Sequence, residues 1–128
     1  MIYKFLAIFL GGGIGAITRF SITSFFIKVL NMPYLGTFIA NLIGCFLIGY
    51  ICAIFYLKAQ ILPQNLKLFL TVGFLGGLTT FSTFNYEIFS FIKDEKIFHG
   101  LIYMFSSCVI GLALTFLGFY LANIQFKS

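Results

Sequence analysis

Three windows without a fixed charge decide what this chain can fold into. Val29 to Leu57 and Leu68 to Tyr86 hold no Asp, Glu, Lys or Arg, and Ile97 to Phe126 holds only His99. Each reaches the roughly 20 residues that a helix rising about 1.5 Å per residue needs to cross hydrocarbon. A fourth stretch, from about Tyr3 to Ile27, is apolar except for Lys4 and Arg19. Hydrocarbon offers no partner to backbone N–H and C=O groups, so such stretches become helices. The expected fold is an all-α membrane protein: one four-helix transmembrane domain over 1–128, with helices at about 3–28, 33–57, 66–92 and 97–124. Composition agrees, since a chain 61% hydrophobic and 9% charged, with a mean hydropathy of +1.08, falls in the membrane class.

The opening MIYKFLAIFLGGGIGA has the outline of a secretory signal, with Lys4 before a short apolar run and small residues after it. The apolar pattern resumes beyond Arg19, so it reads as helix 1. Cys45, Cys52 and Cys108 fall inside helix windows without paired or metal-type spacing and read as small apolar packing residues. The net charge of +5 reads as anchoring to anionic membrane lipid. No basic stripe interleaved with exposed aromatics points to nucleic acid.

Flanking Lys and Arg residues set membrane orientation. With four spans both termini share a side, which holds Lys4, Lys58, Lys67 and Lys127. The other side holds Lys28, Lys93 and Lys96, plus Arg19 if it lies nearer that end. So even a count leaves two readings open: insertion in both directions with pairing to an inverted copy, or one orientation fixed by features other than charge.

Small and polar residues recur on single helix faces. Gly12, Gly15, Ala16 and Arg19 do so in helix 1, and Thr37, Asn41, Gly44 or Cys45, and Ile48 in helix 2. In helix 4 the series is Tyr103, Ser107, Gly111 and Thr115, continued by Gly118 and Ala122. Close packing of membrane helices explains most of the glycines. It explains Asn41 and Arg19 less well, because a polar group at membrane depth needs a partner or a cavity.

GFLGGLTTFSTFNYE, residues 73–87, concentrates the chemistry. Gly73, Gly76 and Gly77 precede Thr79 and Thr80, which predicts a helix break near Gly76 to Thr80. Unwound backbone at that depth survives only when buried or lining a wet cavity, and its freed carbonyls suit a hard cation such as Na⁺. Phe81 and Phe84 share a face. Aromatic rings carry a positive edge, so two rings met edge-on can contact an anion without a fixed positive charge. Nearby hydroxyls and amides add donors, and a path of this kind holds a small anion loosely enough to release it.

Three motifs together, GGGIGAITRF at 11–20, GTFIANLIGCFLIG at 36–49 and GFLGGLTTFSTFNYE at 73–87, resemble the Fluc (CrcB) fluoride channel family nearly end to end. The resemblance implies a fluoride-specific channel, not an enzyme. It would work as an antiparallel dual-topology homodimer in the cell inner (plasma) membrane, passing F⁻ passively outward and so relieving fluoride toxicity. It implies that Phe81, Phe84 and Asn41 line the fluoride pathway, with Thr37, Ser82, Tyr103 and Ser107 as a polar track. Arg19 and Glu87 would sit at the vestibule or pore end, and the Gly76 and Thr79 carbonyls would hold a central structural Na⁺ at the dimer interface. Some relatives continue the helix 4 track with a serine where this chain has Gly111. The alternatives are a proton-coupled small secondary transporter, of fluoride-exchanger or small multidrug type, and a non-transporting packing subunit. The transporter needs an embedded carboxylate, and the sequence places Glu87, Asp94 and Glu95 near or beyond a helix end.

Overall fold

The computed structural model describes residues 1–127, and these are helical almost throughout. Helix α1 spans Ile2–Leu30 and α2 spans Pro33–Leu57. The third membrane-length stretch contains α3 (Gln64–Leu68), a π-helical stretch Phe69–Leu75, α4 (Gly76–Leu78) and α5 (Ser82–Lys93). Helix α6 runs over Ile97–Phe126. Four stretches are long and apolar enough to cross a membrane: Ile2–Leu30, Pro33–Leu57, Gln64–Lys93 and Ile97–Phe126.

Corner chemistry sets the limits of these spans. Asn31 stops α1 in the left-handed conformation (φ 54°, ψ 36°), its amide donating to the Ile27 carbonyl at 2.9 Å. Asparagine tolerates that conformation better than most residues, and Pro33 then opens α2 at a position that needs no amide donor. Between α5 and α6 the corresponding turn residue is Glu95, at φ 60°.

Side-chain size is graded from small inside to large outside. Ala40, Ala53 and Ala122 are fully buried, Leu78 is 1% exposed and Thr37 2%, while large apolar residues such as Phe5, Phe9, Phe20, Phe98 and Phe116 cover the outside. That is the arrangement expected where lipid tails are as apolar as leucine and backbones gain by approaching closely. Two glycine seams carry it. Along the first, a Cβ on Gly11 or Gly15 would collide with the backbone of Phe69 or Phe74, and one on Gly73 would lie 2.9 Å from the Ile8 carbonyl. Along the second, Gly49 of α2 fits against the Thr115 carbonyl and Gly118 of α6 against the Phe46 carbonyl. Thr23 against Gly36 joins α1 to α2, so the bundle is two tight helix pairs joined along α1 and α2.

Candidate functional site

Where the pairs meet, α2, the third stretch and α6 leave a groove of about 450 Å³. Asn41, Gly44, Cys45 and Ile48 of α2 form one side, Ser107 and Cys108 of α6 another. Thr71, Leu75, Gly76, Thr79, Thr80, Phe81 and Phe84 form the third.

Helical bonding lapses beside the groove. Gly76 is right-handed helical (φ −63°, ψ −36°), and no glycine among the described residues has a positive φ. Thr79 is extended (φ −89°, ψ 154°), and residues 79–81 lie outside any helix. Side chains replace the missing rungs. The Thr80 amide donates to Asn41 Oδ1 at 2.8 Å, and Asn41 Nδ2 donates to the Thr80 carbonyl at 3.1 Å. Arg19 Nε donates to the Gly77 carbonyl at 3.0 Å, and the Thr83 amide donates to Thr80 Oγ1 at 3.2 Å. The Thr79 amide keeps its helical bond to Leu75, at 3.0 Å. In an unbroken helix the Gly76 and Thr79 carbonyls would accept from Thr80 and Thr83, four residues on. Both amides are engaged elsewhere, so these carbonyls lack their usual main-chain partners.

The two phenylalanines sit differently. Phe84 is buried, at 8% exposure, and packs on Tyr103 with ring centroids 5.2 Å apart. Phe81 is 77% exposed, its ring centroid 6.3 Å from that of Phe84. Both line the groove. Ser107 Oγ is buried and finds no hydrogen-bond partner among the described residues, an uncommon condition for a buried hydroxyl.

Beyond Phe84 lies a second polar cluster. Thr37 Oγ1 donates to Glu87 Oε1 at 2.7 Å and Tyr103 Oη donates to Oε2 at 2.6 Å, so both carboxylate oxygens are engaged. Tyr34, Phe38 and Phe91 pack around Tyr103.

The structure therefore gathers Asn41, Gly76, Thr79, Phe81, Phe84 and Ser107 on one groove. Thr37, Glu87 and Tyr103 form an adjoining cluster linked through the Phe84–Tyr103 contact. Two residues stand apart. Ser82 lies 3.5 Å from Thr80 Oγ1 but does not line the groove, and Arg19 reaches the interruption from α1. The sequence placed Glu87 near a helix end; it is half-buried inside the bundle, six residues before Lys93, the last residue of α5. Gly44, Thr71, Thr80 and the thiols of Cys45 and Cys108 were not singled out as site residues. Gly44 and Cys45 were legible as members of the Asn41 face, three and four residues on, but nothing marked Cys108 beyond its place next to Ser107.

Comparison with known proteins supplies the family. Residues 6–119 match the family described as CrcB-like protein, Camphor Resistance (CrcB). A protein of Desulfotalea psychrophila named fluoride-specific ion channel FluC is 40% identical over 118 residues, 92% of this chain and 91% of the relative. One so named from Geobacter metallireducens is 40% identical over 115 residues, covering 88% and 91% of the two chains. Fluoride-specific ion channel FluC 2 of Staphylococcus saprophyticus is 42% identical over 117 residues, covering 90% and 93%. With four apolar helices long enough to span a bilayer and a match over most of its length, this chain is a multi-pass membrane protein of the CrcB family.

Proposed function

We infer that the chain is a fluoride-specific ion channel and not an enzyme, passing F⁻ down its electrochemical gradient across the plasma membrane and so relieving fluoride toxicity. The observation that carries this reading is the match, over about nine tenths of the chain, to relatives named as fluoride-specific channels. The geometry supports it. The groove carries aromatic, amide and hydroxyl groups and no Asp, Glu, Lys or Arg, so an anion meets donors without a fixed charge to trap it. Ser107 Oγ is a donor with no acceptor among the described residues, and a small anion beside it would supply one. Phe81 and Phe84 would offer ring edges, Asn41 an amide and Ser82 a hydroxyl, with Thr37 and Tyr103 further along the track, where their hydroxyls donate to Glu87.

The working unit is an antiparallel dual-topology homodimer. The loop lysines support this: four lie on the side of the termini (Lys4, Lys58, Lys67, Lys127) and three on the other (Lys28, Lys93, Lys96), a difference too small to fix one orientation. The carbonyls of Gly76 and Thr79, freed from the helical ladder, suit a hard cation that takes oxygen ligands. Two from each of two copies would hold a structural Na⁺ at the dimer interface. That ion would neutralise the converging carbonyl dipoles.

Fluoride-electrode efflux from liposomes tests the channel. The wild type is expected to release fluoride under a voltage, and Phe81→Ile and Asn41→Asp to abolish most of the flux; unchanged flux in both variants overturns the site. A proton-coupled exchanger is the second reading. Glu87 is an embedded carboxylate, which a proton-coupled exchanger needs, so proton movement stoichiometric with fluoride would replace the channel by that exchanger.

A further inference from the structure

We propose that Arg19 is a positioning residue: it holds the interruption of the third stretch through its Nε–H donor and not through its charge. In an unbroken helix the Gly77 carbonyl would accept from the amide of Phe81, four residues on. Here residue 81 lies outside the helices, and Arg19 Nε takes that place at 3.0 Å. The preceding rung is replaced in the same manner, since the amide of Thr80 turns from Gly76 to Asn41 Oδ1. Two side chains from two other helices thus stand in for two consecutive helical bonds.

The register of α1 delivers this contact. Gly12, Ala16 and Arg19 fall at steps of four and three residues on one face. A Cβ on Gly77 would collide with the Gly12 carbonyl and lie 2.9 Å from the Ala16 amide. Glycine at 77 therefore lets the backbones touch, and Arg19 arrives one turn further along. The bond to Gly77 is the one hydrogen bond of this guanidinium among the described residues. A residue retained for its field could act from any of its nitrogens, and its charge would be wanted wherever the head lay. The contact here is made by the nitrogen closest to the stem.

Two substitutions separate donor from charge. Glutamine places its amide nitrogen the same number of bonds from Cα as Arg Nε, and carries no charge. Lysine keeps the charge but has a methylene at that position. With Arg19→Met as the variant lacking both, the donor assignment orders fluoride efflux from liposomes as wild type close to Arg19→Gln, with Arg19→Lys and Arg19→Met each lower by about tenfold, the effect of one buried hydrogen bond. The reverse order, Lys active and Gln inactive, overturns the proposal, and so does wild-type flux in all three.

Amide hydrogen exchange over residues 79–83 is the second measurement and does not need transport. Exchange is expected to quicken in Arg19→Lys and Arg19→Met and to stay at the wild-type rate in Arg19→Gln; equal rates in all variants, or a fast Gln variant, overturn it. The flux arm alone rests on the channel reading. If wild-type protein passes no fluoride, that reading fails and the exchange order decides the role of Arg19.

Discussion

The chain has two glycine runs in its helices, and they behave differently. Gly11 to Gly13 sit in the middle of α1, which continues unbroken to Leu30. Gly76 and Gly77 are also right-handed helical, yet the helix stops two residues later. Glycine is therefore not what ends it. The difference lies in the neighbours: Asn41 and Arg19 take over the backbone partners of Thr80 and Gly77, whereas among the described residues a Cβ on Gly13 would meet nothing within 4 Å. In both runs glycine serves close approach, and only where outside donors and acceptors converge does the ladder open.

This contrast is breakable at several points. The largest effect is expected from Gly15→Leu, whose side chain would enter the space held by the Phe74 carbonyl and the Leu78 amide. Overpacking against immobile backbone costs about 1–3 kcal/mol or more, and loss of monodisperse protein in detergent checks it. Next comes Asn41→Leu, which leaves the Thr80 amide and carbonyl without partners at a cost of roughly 1–3 kcal/mol each. Fluoride efflux is expected to fall by about 100-fold, and wild-type flux would mean that the interruption holds itself.

Ser107→Ala sharpens the comparison differently. Removing a buried hydroxyl with no partner relieves about 1 kcal/mol or more of desolvation cost, so thermal stability is expected to rise while fluoride flux falls by about tenfold. A fall in both would show that the hydroxyl has a structural partner. The smallest effect is that of Gly13→Ala, where a Cβ meets nothing within 4 Å. The helix should gain about 0.5–1 kcal/mol with flux unchanged, against marked loss for Gly11→Ala two residues away.

The four spans were legible because charge-free windows of membrane length admit few other folds, and the polar string at 73–87 marked one side of the groove. Sequence also placed Asn41 and Gly44 on one helix face, since Thr37, Asn41 and Gly44 recur at helical steps, and Asn41 and Gly44 both line the groove. What it could not show were contacts bridging long separations. Glu87 followed the last residue of a charge-free window and so resembled a helix end, but its partners are Thr37, 50 residues away, and Tyr103, 16 away. Arg19 presented the same difficulty: its charge was conspicuous, while the carbonyl 58 residues on that it satisfies was not. The π-helical stretch Phe69–Leu75 left no periodic signature, because seven residues are too few to separate it from an α-helix.

Phe84 is wedged against Tyr103 while Phe81 lies bare on the same groove. A ring with neighbours on its face keeps one rotamer; a ring without them samples its staggered wells on the picosecond to nanosecond scale. The groove thus carries one fixed ring and one that swings. Whatever comes to rest against Phe81 sets the width of the groove beside it.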